Sequence, residues 1–359
     1  MILDRIAVTG LRNLDQFEIK PSPTINWISG LNGAGKSSIL EAIILLSRGR
    51  VPSNRKRGTV LGAGRELLEV CALLRSRDPR HARVSSLKFA YTPSGSGFFE
   101  NGKPAASVYL LRNRIHVRML AGNAQQLLEG PPQLRRLFLD WNLFHVEPGY
   151  GRLLADLKKV TMQRNAWLKS GAKGPPAWDQ AYCHLSEAIN YQRRKLVTGL
   201  NNSLIELARM FALNGKIGLD FHEGWPAEKG TLDALVANSV REDAMRGYTF
   251  YGPSRADLFI RLPDRSFTPS RGETKLLVFI LQLAAQHYWN KHGGPEAIWL
   301  LDDLGAELDA TAIQKILTAL THLTAQVIVT VIAGKGSRPL ACTEGPVFHV
   351  EQGKLVGQY

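Results

Sequence analysis

The sequence predicts an α/β chain, a mixed sheet with flanking helices interrupted by an inserted helical lobe. Three observations carry that expectation. Residues 30–37 read Gly-Leu-Asn-Gly-Ala-Gly-Lys-Ser, an unbroken G-x-x-x-x-G-K-[ST] run between an extended stretch and an amphipathic helical one. Residues 297–303, Ala-Ile-Trp-Leu-Leu-Asp-Asp, read as an apolar strand ending in two carboxylates. Between these motifs, from roughly 133 to 213, apolar residues recur at helical spacing.

Taken in order, residues 1–8 and 15–29 read as strands around a turn at 9–13, and the alternating run Thr24–Ser29 leads into the glycine-rich loop. A helix from Ser37 to Leu46 leaves it, with Ile39, Leu40, Ile43 and Ile44 apolar. Short apolar runs at 69–74, 84–91 and 107–111 predict a meandering antiparallel sheet, with Asn101-Gly102 as a hairpin turn. Leu134, Leu137, Phe138, then Leu153, Leu154, Leu157, Val160, and later Ile189, Leu196, Leu200, Leu204 predict long helices, broken at 171–176. Strand-like sequence returns at 217–221, 248–251 and 258–262. A helix over 272–290, the strand 297–301, a helix over 310–320, a strand at 326–331 and a hairpin at 346–356 complete the order.

Composition narrows the class. With 44% hydrophobic and 21% charged residues, the 359-residue chain reads as a soluble globular protein of two or three packed units. No stretch approaches the roughly 18 apolar residues of a membrane span, and the N-terminus lacks a secretory pattern. Cys71, Cys183 and Cys342 are few and far apart, which fits neither a disulfide framework nor a zinc site and suits a reducing cytosol. A formal charge of +14 points to a polyanion partner, most simply nucleic acid. Basic clusters stand at Arg48, Arg50, Arg55, Lys56, Arg57, at Arg75, Arg77, Arg80, Arg83, at Arg135-Arg136 and at Arg193-Arg194-Lys195. None is interleaved with aromatics, so phosphate contact is expected rather than base readout.

The two motifs specify chemistry. The glycines let the backbone curl so that its N–H groups point at phosphate oxygens, and the helix start adds its positive end. Gly30, Leu31, Asn32, Gly33, Ala34, Gly35, Lys36, Ser37 and Ser38 are therefore the expected cradle for ATP. Lys36 is expected to reach the β- and γ-phosphates, and the Ser37 hydroxyl to ligate Mg²⁺. Asp302 is expected to reach the same ion through water, and Asp303 to polarise the attacking water.

The carboxylates lie about 265 residues after the loop, so something large is inserted, and the helical stretch is the candidate. The expected division is a first ATPase part at 1–130, an inserted helical lobe at 131–215 and a second ATPase part at 216–359. Ser270-Arg271-Gly272-Glu273 opens a helix about thirty residues before Asp302. That is the order of the signature element in ATP-binding-cassette ATPases, where the helix start of one protomer completes the γ-phosphate site of another. Glu307-Leu308-Asp309 looks like the loop that crosses the dimer interface in such ATPases, and Thr330 stands in the place of the γ-phosphate sensor.

With these pieces in order, the chain resembles the RecF family of bacterial recombination-mediator ATPases, nearly end to end. The matching stretches include Leu11-Arg12-Asn13, Gly30 to Ser38, Arg48-Gly49-Arg50, Gly130-Pro131, Arg135-Arg136 and Phe138-Leu139-Asp140. Others are Gln163-Arg164-Asn165, Gly224-Trp225, Tyr251-Gly252-Pro253, Ser270-Arg271-Gly272, Lys275-Leu276-Leu277 and Leu301-Asp302-Asp303. Two departures stand out: Ser254 where the family usually has His, and Glu273 where its signature usually has Gln, a carboxylate expected to slow ATP-driven pairing.

The resemblance implies a P-loop NTPase of the ABC-ATPase head type plus an inserted helical lobe. It adds Arg12 to the nucleotide contacts and gives catalytic roles to Lys36, Asp303, Ser270 and Gly272. It further implies an ATP-dependent homodimer on duplex, single-stranded, gapped or junction DNA, with slow DNA-stimulated hydrolysis. Cooperation with RecR and RecO to load RecA, replication restart and the SOS response follow, in the bacterial cytoplasm at the nucleoid and away from membranes. The alternatives are an ABC-type nucleotide-binding subunit of a transporter, disfavoured by the long insertion and the basic charge, and a catalytically inactive ATP-binding DNA scaffold.

Overall fold

A computed structural model describes residues 1–48, 60–77, 84–105, 114–211, 217–261, 269–332 and 344–359. Met1–Ala124, Arg271–Phe279 and Pro295–Tyr359 form one compact unit; Gln125–Ser270 and Ile280–Gly294 form a second.

The strands, in chain order, are β1 (Ile2–Leu11), β2 (Leu14–Ile19), β3 (Ile25–Gly30), β4 (Leu68–Arg75), β5 (Val84–Thr92), β6 (Gly95–Glu100), β7 (Lys103–Pro104) and β8 (Val117–Leu120). They continue with β9 (Gly218–His222), β10 (Asp257–Arg261), β11 (Ile298–Leu301), β12 (Val327–Ile332), β13 (Val347–Glu351) and β14 (Lys354–Gln358). The first unit contains two six-stranded sheets. One is antiparallel, in the order β2-β1-β4-β5-β6-β7, and the other runs β14-β13-β3-β12-β11-β8, parallel except at its β13–β14 edge.

Sequence texture explains which strand joins which sheet. β11 is a continuous apolar run, and β3 and β12, which also carry Asn26, Ser29 and Thr330, are buried on both faces along nearly their whole length, as central parallel strands must be. In β4 buried residues alternate with half-exposed ones, the period-two pattern of a sheet with one face on the core. The helix Lys36–Arg48 buries Ile39, Leu40, Ile43, Ile44, Leu45 and Leu46, because it touches strands of both sheets. One apolar cluster runs through this helix and the inner faces of both sheets. Asn101 (φ 51°) and Gly102 (φ 76°) make the expected hairpin turn, joining β6 to β7. The expected strand at 107–111 lies outside the described residues.

The second unit is mainly helical, with Pro132–Val146, Tyr150–Lys169 and Asp179–Met210 as its long helices. Its polar interior is built on buried arginines. Arg164, fully buried, pairs with Asp179 at 2.8 Å and Asp243 at 3.0 Å and donates to Thr249 Oγ1 at 2.8 Å. Arg193 pairs with Asp140 at 2.9 Å, and Arg135 with Asp257 at 2.8 Å. Buried charges of this kind hold only because each is matched by a carboxylate and further hydrogen bonds.

The unit boundaries differ from the expected 131 and 216. Residues 217–261 fall with the helices because, among the described residues, β9 and β10 pair only with each other and pack on Asp179–Met210 and Pro132–Val146. Residues 248–251 do not form the expected strand. The Asn165 side chain takes the N–H of Thr249, and Asp243 takes that of Phe250. The expected strand 15–29 is divided between β2 and β3, with Asn26 bonded to the Ser22 backbone in the intervening bend. Among the described residues, no helix is long and apolar enough to cross a membrane.

Candidate nucleotide-binding site

The glycine-rich loop leaves the C-terminal end of β3, and Asp302-Asp303 leaves that of β11. Strand β12 lies between them in the sheet. Parallel order thus collects the two motifs at one sheet edge, where open α/β sheets bind ligands.

Within the loop, Gly35 has φ 111°, a conformation that a side chain would resist. Asn13 braces the loop from the β1–β2 turn, its Nδ2 donating to the Gly33 carbonyl at 3.0 Å and its Oδ1 accepting from Ser38 Oγ at 3.2 Å. From the opposite end of the chain, Gly353 N donates to the Ala34 carbonyl at 2.8 Å. Leu31, Asn32, Gly33 and Ser37 are exposed, whereas Ala34, Gly35, Lys36 and Ser38 are buried.

The Lys36 ammonium donates to the carbonyls of Gly30 at 2.9 Å and Leu31 at 3.0 Å. Burial lowers its pKa from the ordinary lysine value, and Asp303 and Asp302 pull it partly back. Two of its three donors therefore hold the amine at the mouth of the loop.

Ser37 Oγ donates to Asp302 Oδ1 at 3.2 Å, bringing together the two expected Mg²⁺ residues. Thr330, fully buried on β12, locks the carboxylate turn. Its hydroxyl donates to Asp302 Oδ1 at 2.8 Å and accepts from Asp303 N at 2.9 Å. Both of its hydrogen-bonding functions are thus engaged inside the turn rather than offered to a phosphate. Asp303 sits at φ 46°, and its Oδ1 is buried without a hydrogen-bond partner.

Arg12 pairs with Glu41 of the loop helix at 2.7 Å. Ser270 is exposed just before the helix Arg271–Lys291, and Gly272 admits the Glu307 carbonyl, which a Cβ there would meet at 2.6 Å. Sequence reasoning gives no role to three residues here, Gly353 among them. Asn13 is the brace just described, and the buried Lys275 donates to the Asp303 carbonyl at 3.2 Å and lies 3.8 Å from Glu307. Asn13 and Lys275 stand inside stretches of the family resemblance, which was the available signal.

The expected phosphate-contacting clusters divide differently. Residues 49–59 and 78–83 lie outside the described residues. Arg75 is paired with Asp4, Arg135 with Asp257, Arg193 with Asp140, Arg194 with Glu223 and Lys195 with Glu147. Much of that charge is matched internally, which no count of basic residues reveals.

The family model described as AAA domain matches residues 5–103. DNA replication and repair protein RecF of Pseudomonas savastanoi pv. phaseolicola is 35% identical, over 99% of this chain and 98% of its own. RecF of Pseudomonas fluorescens strain SBW25 is also 35% identical with the same coverage. Among solved structures, the recombination mediator protein RecF-ATP of the RecFOR pathway superposes with a TM-score of 0.83 at 24% identity, covering 99% of this chain and 97% of that one. The SmcHead bound to the C-winged helix domain of ScpA gives 0.62 at 16% identity, covering 100% and 98%, a likeness of fold. The chain belongs to the RecF family of DNA replication and repair proteins.

Proposed function

We propose that this chain is an ATP-dependent DNA-binding switch that binds ATP with Mg²⁺, pairs with a second copy through the bound nucleotide and hydrolyses it slowly on DNA. In this reading it works with RecO and RecR to load RecA at gaps, serving replication restart and SOS induction in the bacterial cytoplasm. The observation that carries the reading is the meeting of Ser37 Oγ and Asp302 Oδ1 at 3.2 Å, across 265 residues of sequence.

The donor set fits Mg²⁺. A hydroxyl and a carboxylate offer hard oxygens, and this ion is usually held by one or two such groups plus phosphates and waters. The buried, partnerless Oδ1 of the adjacent Asp303 is a further acceptor. Bound Mg²⁺ would neutralise phosphate charge. The remaining Lys36 donor would bind a terminal phosphate oxygen, the loop N–H groups would orient the chain of phosphates, and Asp303 would hold the attacking water and draw its proton. Ser270, exposed at a helix start, would close the γ-phosphate site of a second copy, so ATP bridges two protomers and favours the dimer by differential affinity. The formal charge of +14 supports DNA as the partner.

Light scattering with and without Mg-ATP, alongside phosphate release, tests the reading. The unaltered protein is expected to dimerise with ATP, Ser270→Arg to remain monomeric, and Lys36→Arg to bind some ATP without turnover. Dimerisation of Ser270→Arg at the same nucleotide concentration would sink the shared site. Unchanged turnover in Asp303→Asn would favour the inactive scaffold.

A further inference from the structure

Several stretches that carry the family resemblance lie far in sequence from the phosphate loop and take no part in it. In the second unit they converge on one surface loop, residues 251–256. The Tyr182 hydroxyl donates to the Tyr251 carbonyl at 2.7 Å. Arg193, held by Asp140, donates to the Pro253 carbonyl at 2.9 Å, and Arg136 to the Ala256 carbonyl at 2.7 Å. Asn165 Oδ1 accepts from both Thr249 N and Thr249 Oγ1 at 2.8 Å, fixing the entry to the loop. The backbone at Gly224 lies so close to Gly252, Arg255 and Ala256 that no side chain would fit there.

Side-chain donors thus take three carbonyls of this turn. What this bracing holds at the surface is Ser254 and Arg255, both exposed. The Arg255 guanidinium lies 3.8 Å from the centre of the Phe250 ring. Arg246 stands 4.8 Å from the same ring, but Glu242 at 3.0 Å satisfies it. Arg255 has no carboxylate partner and donates no side-chain hydrogen bond among the described residues. Stacking fixes the plane of the guanidinium while leaving its N–H groups available at the edge, the geometry suited to two oxygens of a phosphate.

We propose that Arg255, with the Ser254 hydroxyl beside it, is a phosphate-binding site for a polynucleotide backbone, with Phe250 as its positioning residue. The choice of a polynucleotide rests on the DNA-binding reading above; the terminal phosphate of a nucleotide is the other source of the same chemistry.

The test measures binding to duplex and single-stranded DNA over a salt series, and ATP binding separately, for the full chain and its variants. Arg255→Ala is expected to weaken DNA binding and to reduce the slope of log K against log salt by about 0.9, the share of one phosphate contact on duplex, with ATP binding unchanged. Arg255→Lys is expected to keep the slope at reduced affinity, and Phe250→Leu to weaken DNA binding less than Arg255→Ala. Loss confined to ATP binding would move the site to the nucleotide and overturn the polynucleotide assignment. Unchanged DNA binding by Arg255→Ala in a protein that binds DNA sinks this assignment alone. Absence of DNA binding by the unaltered protein sinks the DNA reading and the polynucleotide source with it.

Discussion

Thr330→Val isolates the device that shapes the carboxylate turn. Valine keeps the shape of threonine but removes a hydroxyl that donates to Asp302 Oδ1 at 2.8 Å and accepts from Asp303 N at 2.9 Å. A hydrogen bond to a charged group contributes about 1.5–3 kcal/mol, and an N–H left buried without a partner costs about 1–3 kcal/mol. Asp302 retains Ser37 as a second donor, which offsets part of the first loss. We therefore expect about 3 kcal/mol of destabilisation, read from the urea midpoint at constant slope. ATP turnover is expected to fall at least tenfold, because the αL conformation of Asp303 loses its anchor. Thr330→Ser restores both bonds and should recover most of the activity at a cost of about 1 kcal/mol for the lost methyl. The reasoning is refuted if Thr330→Val lies within about 0.5 kcal/mol of the unaltered protein, or if serine fails to rescue.

Other expectations follow from buried groups. Burial lowers the His116 pKa from 6.5 to about 4, so the neutral ring is the native form. Stability is then lost as the pH falls from about 6.5 towards 4, by up to ~3 kcal/mol. His116→Gln should flatten that stretch of the curve, and an unchanged acid limb would remove His116 as its cause. Arg164→Met removes the 3.0 Å ion pair of the fully buried Asp243, leaving it only the longer ion pair with Arg246 at 3.7 Å, and is expected to cost about 3 kcal/mol in denaturant unfolding. The double variant Arg164→Met/Asp243→Leu should recover part of that loss, and no recovery would argue against the ion pair as its source.

Legibility in the sequence followed the range of the interactions. The phosphate loop could be read directly because its chemistry is local: eight consecutive residues set the turn, the lysine and the hydroxyl. Buried parallel strands also announced themselves, since an apolar run such as β12 has few other places to go. The order of the remaining motifs led to the family likeness. Tertiary structure alone decided what those motifs touch. It seated Thr330 inside the carboxylate turn, gave Asn13 and Gly353 to the loop as braces, and drew β9 and β10 onto the helices. It also matched some of the basic residues to carboxylates within the fold and left others, Arg255 among them, exposed at the surface. The physical reason is that a charge or hydroxyl carries the same letter whether paired or free. Its partner is chosen by packing across hundreds of residues, as with Ser37 and Asp302, and no local pattern encodes that choice.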